Sequence, residues 1–107
     1  MLRESGPEVV TITLHGDLSV QTLSELRSAL ERAECCDVVI LDLALVGYVD
    51  STTLTAFVKL RSRMLDGGRQ GTVRIAGPTA NVRRIFEICH LDKLFEIYES
   101  VDAARDA

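Results

Sequence analysis

No apolar run in this sequence reaches 18 residues, so no segment has the length of a membrane-spanning helix. Met1 is followed by LRESGPE rather than by a basic stretch and an apolar core, so no secretory leader is expected. Only two prolines occur, and no low-complexity tract, which argues against long disorder. Basic charge is not in excess either, because the formal net charge is −4. A general nucleic-acid binder neutralises phosphates with a basic face, so this balance argues against that class. It argues less strongly against an anionic membrane surface. The expectation is a cytoplasmic protein that touches neither nucleic acid nor membrane directly, with a monomer as the default.

Cysteine is also scarce in any useful arrangement. Three are present, at 35, 36 and 89. An odd count with an adjacent pair makes a poor disulfide framework. Cys35–Cys36 could be read as a redox pair, but two thiols between a helix and a buried strand read more simply as inert packing. No CxxC or HxxxH spacing exists, and His15 and His90 stand far apart, so no metal or other cofactor is expected.

What is present fits one domain spanning 1–107. A chain of this length buries roughly 60–70% of its unfolded surface, enough for a single two-layer core. In residues 8–16, Val10, Ile12 and Leu14 alternate with Thr11, Thr13 and His15, the period of a half-buried strand, and Gly16 is expected to turn the chain. In 19–33, Leu23, Leu26, Leu30 and Ala33 form one helical stripe behind Ser19 as cap. The run Val38-Val39-Ile40-Leu41, then Leu43, predicts a strand over 37–46 that is covered on both faces. Residues 51–68 carry Leu54, Phe57, Val58, Met64 and Leu65 at helical spacing, and Gly67-Gly68 can stop that helix. A strand over 71–77, a Thr79-capped helix over 79–90 with Val82, Ile85, Phe86 and Cys89 on one face, and a short edge strand or turn over 94–100 follow. Residues 101–107 are expected as a last helical turn or a frayed tail, and MLRE at the start as one weak pairing segment. This alternation predicts an α/β domain with a largely parallel sheet.

Few residues invite chemistry. Asp50 stands beside Ser51, but no histidine is placed to complete a triad, and the G-x-S-x-G elbow is absent. GGRQG (67–71) follows a helix and opens a strand, the reverse of a phosphate loop. Arg83-Arg84 with Arg74 could form a basic spot, though such a cluster is more simply a solvated face. No enzyme is expected. That leaves Asp50-Ser51-Thr52-Thr53. These residue types are preferred helix caps, each satisfying an otherwise orphan N–H. The junction also lies on the sheet edge where parallel α/β folds place their sites. A phosphate on a hydroxyl there would face the positive end of the helix and add about 1.5–2 negative charges. A docking partner that lost about 3–4 kcal/mol in consequence would bind several hundredfold more weakly.

Three stretches together resemble one family. ITLHGDLS (12–19) is similar to a strand–Gly–acid turn into the first helix. VVILDLALVGYVDSTTLTAF (38–57) is similar to a buried strand followed by apolar-Asp-Ser-Ser/Thr-Gly-Leu. GTVRIAGPTANVRRIFEICHLDKLFEIYES (71–100) is similar to a strand, a helix with paired basic residues and a final strand. The family is that of STAS domains, and within it the free-standing anti-sigma factor antagonists. The resemblance implies a STAS-like two-layer α/β domain with a mixed, largely parallel sheet and helices packed on it. It implies an anti-anti-sigma factor that captures an anti-sigma factor with serine-kinase activity, is phosphorylated by it, and is restored by a phosphatase. Carried over, the acceptor is Ser51, with Thr52 the alternative. The implied partner surface comprises Asp17, Ser19, Asp50, Ser51, Thr52, Thr53 and Thr55. Two positions depart from the pattern: Thr53 replaces the motif glycine, and Ser19 stands where an aspartate closes the first signature. Both are expected on the partner-facing edge. The other function open to this family is a STAS accessory or scaffold subunit of another assembly, such as a lipid-transport ATPase or a signalling complex.

Overall fold

The computed structural model describes residues 9–33, 36–66 and 71–107. Strand β1 (Val9–Leu18) carries Val10, Ile12 and Leu14 toward the helices. It does not end at Gly16. That glycine has φ 79° inside the strand, a conformation open to glycine without a steric cost, and the chain stays paired as far as Leu18. Ser19 then caps a 3₁₀ turn, Val20–Thr22: its hydroxyl accepts from the Gln21 N–H at 3.2 Å, and the Thr22 hydroxyl accepts from the Ser19 N–H at 3.1 Å. Helix α1 (Leu23–Ala33) buries Leu23, Leu26, Leu30 and Ala33, the stripe the spacing predicts.

Strand β2 (Val38–Val49) is longer than the sequence pattern implies. Its register against β1 slips twice, between Asp42 and Leu45 and between Val46 and Tyr48. Each slip gives β2 one more residue than β1. The bulges convert a two-residue period into a three-residue one, so Leu43, Val46 and Val49 all point inward while Leu45 and Tyr48 face solvent.

Helix α2 (Ser51–Asp66) buries Leu54, Phe57 and Met64, with Ala56 and Leu60 beside them. Leu65 is exposed, and the expected stop at Gly67-Gly68 lies outside the described residues. Strand β3 (Thr72–Ala76) leads to a turn at Gly77, φ 62°. Thr79 caps helix α3 (Ala80–Ile88), which buries Val82 and Phe86. Cys89 leaves that face and is exposed. Strand β4 (Glu96–Tyr98) follows, and Ser100 caps helix α4 (Val101–Asp106).

The sheet runs β1-β2-β3-β4, with all pairings among the described residues parallel. The mixed character that the resemblance implies is not seen among the described residues, and the weak pairing segment MLRE lies outside them. Right-handed crossovers that advance one way across a sheet place their helices on one face. The main core accordingly joins α1, α2 and α3 to Val39, Leu41, Leu43, Val73 and Ile75. Phe86 and Phe95 meet edge to face there, with centroids 6.1 Å apart.

The other face of the sheet is covered in part by α4. Ala104 is fully buried against Val38, Ile40 and Ala76. The Arg74 guanidinium donates to the Ala104 carbonyl at 2.9 Å and to Glu96 Oε1 at 3.3 Å. Residues 101–106 are therefore a docked helix and not a frayed tail. Arg74 sits on this face while Arg83 and Arg84 ride on α3, so the three do not make one basic spot.

Deleting residues 101–107 is expected to cost about 2–3 kcal/mol, since it uncovers Val38, Ile40 and Ala76 and removes an acceptor from Arg74. Urea unfolding measures it. An unchanged midpoint would return the segment to the status of a tail.

Candidate functional site

The site is built where β2 ends. Asp50 follows the last inward residue of the strand, and every polar atom it offers is used. Its N–H donates to the Leu18 carbonyl at 3.1 Å, tying it to the end of β1. Its carbonyl accepts from the Leu54 N–H at 3.1 Å, the first main-chain bond of α2. Its Oδ1 accepts from the Thr53 N–H at 2.9 Å and its Oδ2 from the Val20 N–H at 3.1 Å. One carboxylate thus caps α2 and holds the turn that enters α1.

These bonds favour the charged form. The Thr53 N–H does most to hold the Asp50 carboxyl below its ordinary value of 3.8; partial burial opposes it, and the Thr53 hydroxyl, the Val20 N–H and the Thr52 hydroxyl add to the lowering. The Thr53 hydroxyl is close enough to favour the charge, yet it makes no hydrogen bond of acceptable geometry and is fully buried. A bond that is long or bent contributes little.

Ser51 is the first residue of α2 and is exposed. Its carbonyl accepts from the Thr55 hydroxyl at 2.8 Å, while its own hydroxyl makes no hydrogen bond to the described residues. The first N–H groups of a helix have no partner within it. Leu54 and Thr53 are satisfied by Asp50, which leaves the N–H groups of Ser51 and Thr52 pointing outward beside the Ser51 hydroxyl.

Two grooves flank that hydroxyl. One, of about 480 Å³, lies between α1 and α2 and is lined by Arg27, Glu31, Ser51, Thr52, Thr55 and Lys59 among others. The other, of about 280 Å³, is apolar, with Leu54, Val58, Cys89 and Leu91 joining Ser51 and Thr55. Ser51 stands on the ridge between a basic groove and an apolar one.

The sequence-derived residues do not all share this ridge. Ser51, Thr52 and Thr55 do. Asp50 and the Ser19–Val20 turn lie directly behind them through the carboxylate. Asp17 is exposed on the strand side, paired with Tyr48, and its Oδ1 lies 3.2 Å from where a side chain on Gly47 would begin. Thr53 is different from the other six. Its side chain is fully buried, so it lies beneath the site and not on the partner-facing edge, because the third residue of α2 turns inward with Leu54 and Phe57. The pattern reading missed Arg27 and Lys59, which come together only when α1 packs on α2. It also missed the apolar groove, which depends on the chain after α3 folding back to α2. The one available hint was that Arg27 and Glu31 share a face of α1 that the leucine stripe leaves free.

A parallel sheet whose candidate site is an acid-capped helix start with an outward hydroxyl defines an α/β domain with its site at the carboxyl edge of the sheet. The STAS domain family model matches residues 2–104, and the chain belongs to that family. Its fold matches the anti-sigma factor antagonist from Mycobacterium paratuberculosis with TM-score 0.82 at 21% identity, covering 98% of this chain and 89% of that one. It matches the unphosphorylated form of the anti-sigma factor antagonist SpoIIAA with TM-score 0.78 at 21% identity, covering 99% and 92%. The phosphorylated form of SpoIIAA, from Bacillus, matches with TM-score 0.71 at 17% identity, covering 99% and 96%. A SulP transporter STAS domain from Vibrio cholerae matches with TM-score 0.69 at 19% identity, covering 95% and 82%. At these identities the likeness is one of fold.

Two outcomes test the site's physics. Replacing Thr53 by valine removes a buried hydroxyl without a partner, and stability is expected to hold or rise by up to about 1 kcal/mol in urea melts. A loss larger than that would mean the hydroxyl bonds Asp50 in solution. For Asp50 the sign follows from the lowered value: its stabilisation is present above the ordinary carboxylate value of 3.8 and is lost as pH falls through the folded one. Asp50→Asn is therefore expected to melt below the parent protein at neutral pH, with the gap closing in acid. A gap of constant size would remove the carboxylate's charge from the account.

Proposed function

We propose that the chain is an anti-sigma factor antagonist whose partner binding is switched by phosphorylation of Ser51. The observation that carries this reading is the isolation of the Ser51 hydroxyl: exposed, unbonded, beside two free N–H groups, and held in place by a carboxylate bonded to both neighbouring helix starts. Ser51 is preferred over Thr52, because Ser51 is exposed while Thr52 is half-buried. The likeness in fold to SpoIIAA, of which both a phosphorylated and an unphosphorylated structure exist, supports the reading.

In the unmodified state the ridge docks on an anti-sigma factor that is also a serine kinase, and the sigma factor is freed. The protein acts in the cytoplasm, as a monomer, without cofactor. It supplies no catalytic group. The kinase brings ATP and a base: the Ser51 oxygen attacks the γ-phosphorus, the bond to the β–γ bridging oxygen breaks, ADP leaves, and the hydroxyl proton goes to the base. The added charge on the docking ridge weakens the complex, and a phosphatase restores it by hydrolysing the ester. A second reading, an accessory STAS subunit of another assembly such as a lipid-transport ATPase, draws support from the match to a transporter STAS domain.

The test mixes the protein with candidate serine-kinase anti-sigma factors and ATP and maps the phosphate by mass spectrometry. Phosphate is expected on Ser51. Ser51→Ala should keep partner affinity, and Ser51→Asp should lower it roughly a hundredfold, about 3 kcal/mol. Equal binding by both variants, or modification elsewhere only, would favour the accessory-subunit reading.

A further inference from the structure

A basic groove runs beside Ser51 between α1 and α2. Its charged lining is Arg27 and Glu31 from α1 and Lys59 and Arg63 from α2. On a chain of net charge −4, a groove where Arg27 and Lys59 outnumber Glu31 is a local reversal of sign even with Arg63, which is engaged elsewhere, set aside.

The groove also has a direction. Helix α1 begins at Leu23 and α2 at Ser51, and in a parallel sheet both helices start at the same edge. Arg27 stands one turn into α1 and lines the groove together with Ser51 and Thr52, which begin α2. Lys59 lies eight residues beyond Ser51, about 12 Å along the axis, within combined reach of a lysine stem and a phosphoserine. Arg63, about 18 Å along, adds only to the field.

We propose that Arg27, with Lys59 behind it, is a receptor in the same chain for a phosphate on Ser51. The phosphorylated protein folds its phosphate into the α1–α2 groove, with the Ser51 and Thr52 N–H groups donating from one side and the Arg27 guanidinium from the other. Arginine suits the task, because its planar fork donates two parallel bonds to phosphate oxygens. Modification then does two things to the ridge. It adds negative charge, and it fills the groove a partner would otherwise meet as basic. This rests on Ser51 as the acceptor, deepens that reading, and names a regulatory contact for the site.

The charges facing the phosphate from every side decide the titration. Arg27, Lys59 and Arg63 favour its dianion, Glu31 and Asp50 oppose it, and Cys89 lies across the ridge in the apolar groove. Along the groove Arg27 and Lys59 face the single anion Glu31, and the Asp50 carboxylate is already engaged by two N–H donors.

Phosphoserine can be installed at position 51 during translation, so the experiment needs no kinase, and its result is separate from whether any kinase modifies Ser51. Phosphorus NMR then follows the second ionisation in the folded protein and in urea. The folded value is expected about one unit below the unfolded one, a roughly tenfold lower proton affinity. In the doubly substituted Arg27→Gln, Lys59→Gln protein about half or more of that shift should vanish, while the part due to the helix start remains. Arg27→Lys should keep most of it. The Arg27 Nε–H resonance should move on phosphorylation, a readout that does not depend on the double variant folding. The same folded ionisation with and without the two cations, in proteins of native circular dichroism, would overturn the proposal, as would an Arg27 resonance that phosphorylation leaves in place.

Discussion

One carboxylate holds the functional end of this molecule together. Asp50 joins the end of β2 to the end of β1 through its backbone, and to two helix starts through its side chain. Two of those donors, Val20 and Thr53, come from segments more than thirty residues apart. Only a side chain with two acceptor oxygens and a short stem can serve both. An asparagine offers one oxygen and would leave an N–H facing an N–H. Serine or threonine, otherwise good caps, have a single oxygen. The identity of residue 50 is therefore set by a need to satisfy two helices at once, and the exposure of residue 51 follows from it. Ser51, the first residue of α2, lies on the helix face turned away from the core.

The central strand prepares this position by breaking its own period. A regular β2 that placed Leu41 and Leu43 inward would send Val46 outward. The two extra residues in its second half correct the phase, so that Val46 and Val49 stay in the core and Asp50 arrives at the edge above the helices. The irregular backbone is used as well. The Thr79 hydroxyl donates to the Val46 carbonyl at 3.3 Å, and the Asn81 side chain donates to the Gly47 carbonyl at 2.9 Å. The start of α3 is thereby anchored on the bulged stretch, as the start of α2 is on Asp50. Three helix starts are fixed to one end of one strand.

This pattern explains what could be read from the sequence. The order of strands and helices was legible because each has a regular period. The run from Val38 to Leu41 even announced that the sheet is covered twice, although the cover, α4, looked like a tail: a six-residue helix with one buried alanine has almost no period to read. The end of β2 was illegible because bulges disguise a strand as something closer to a helix. Asp50 and Ser51 stood out because capping is local chemistry. Arg27 and Lys59 did not, since their proximity is a product of packing between helices. Arg74 was grouped with Arg83 and Arg84 for want of knowing that β3 and α3 present them to different faces.

Net charge proved a guide to the whole surface and not to the site. Fields between exposed charges fade over about 8–10 Å at ordinary ionic strength. Glutamates and aspartates elsewhere on the chain are thus screened at Ser51, and a handful of groups in two helices set the local potential. The same reasoning bears on Thr53. In the family pattern a glycine at this position suggests a surface that must be approached closely. Here the threonine side chain points into the core under α2, and its N–H still meets Asp50. Its bulk is added to the interior, where the consequence is an unpartnered hydroxyl, while the outer surface of the helix start keeps Ser51, Thr52 and Thr55. The departure from the motif therefore changes how the helix start is packed more than what a partner would touch.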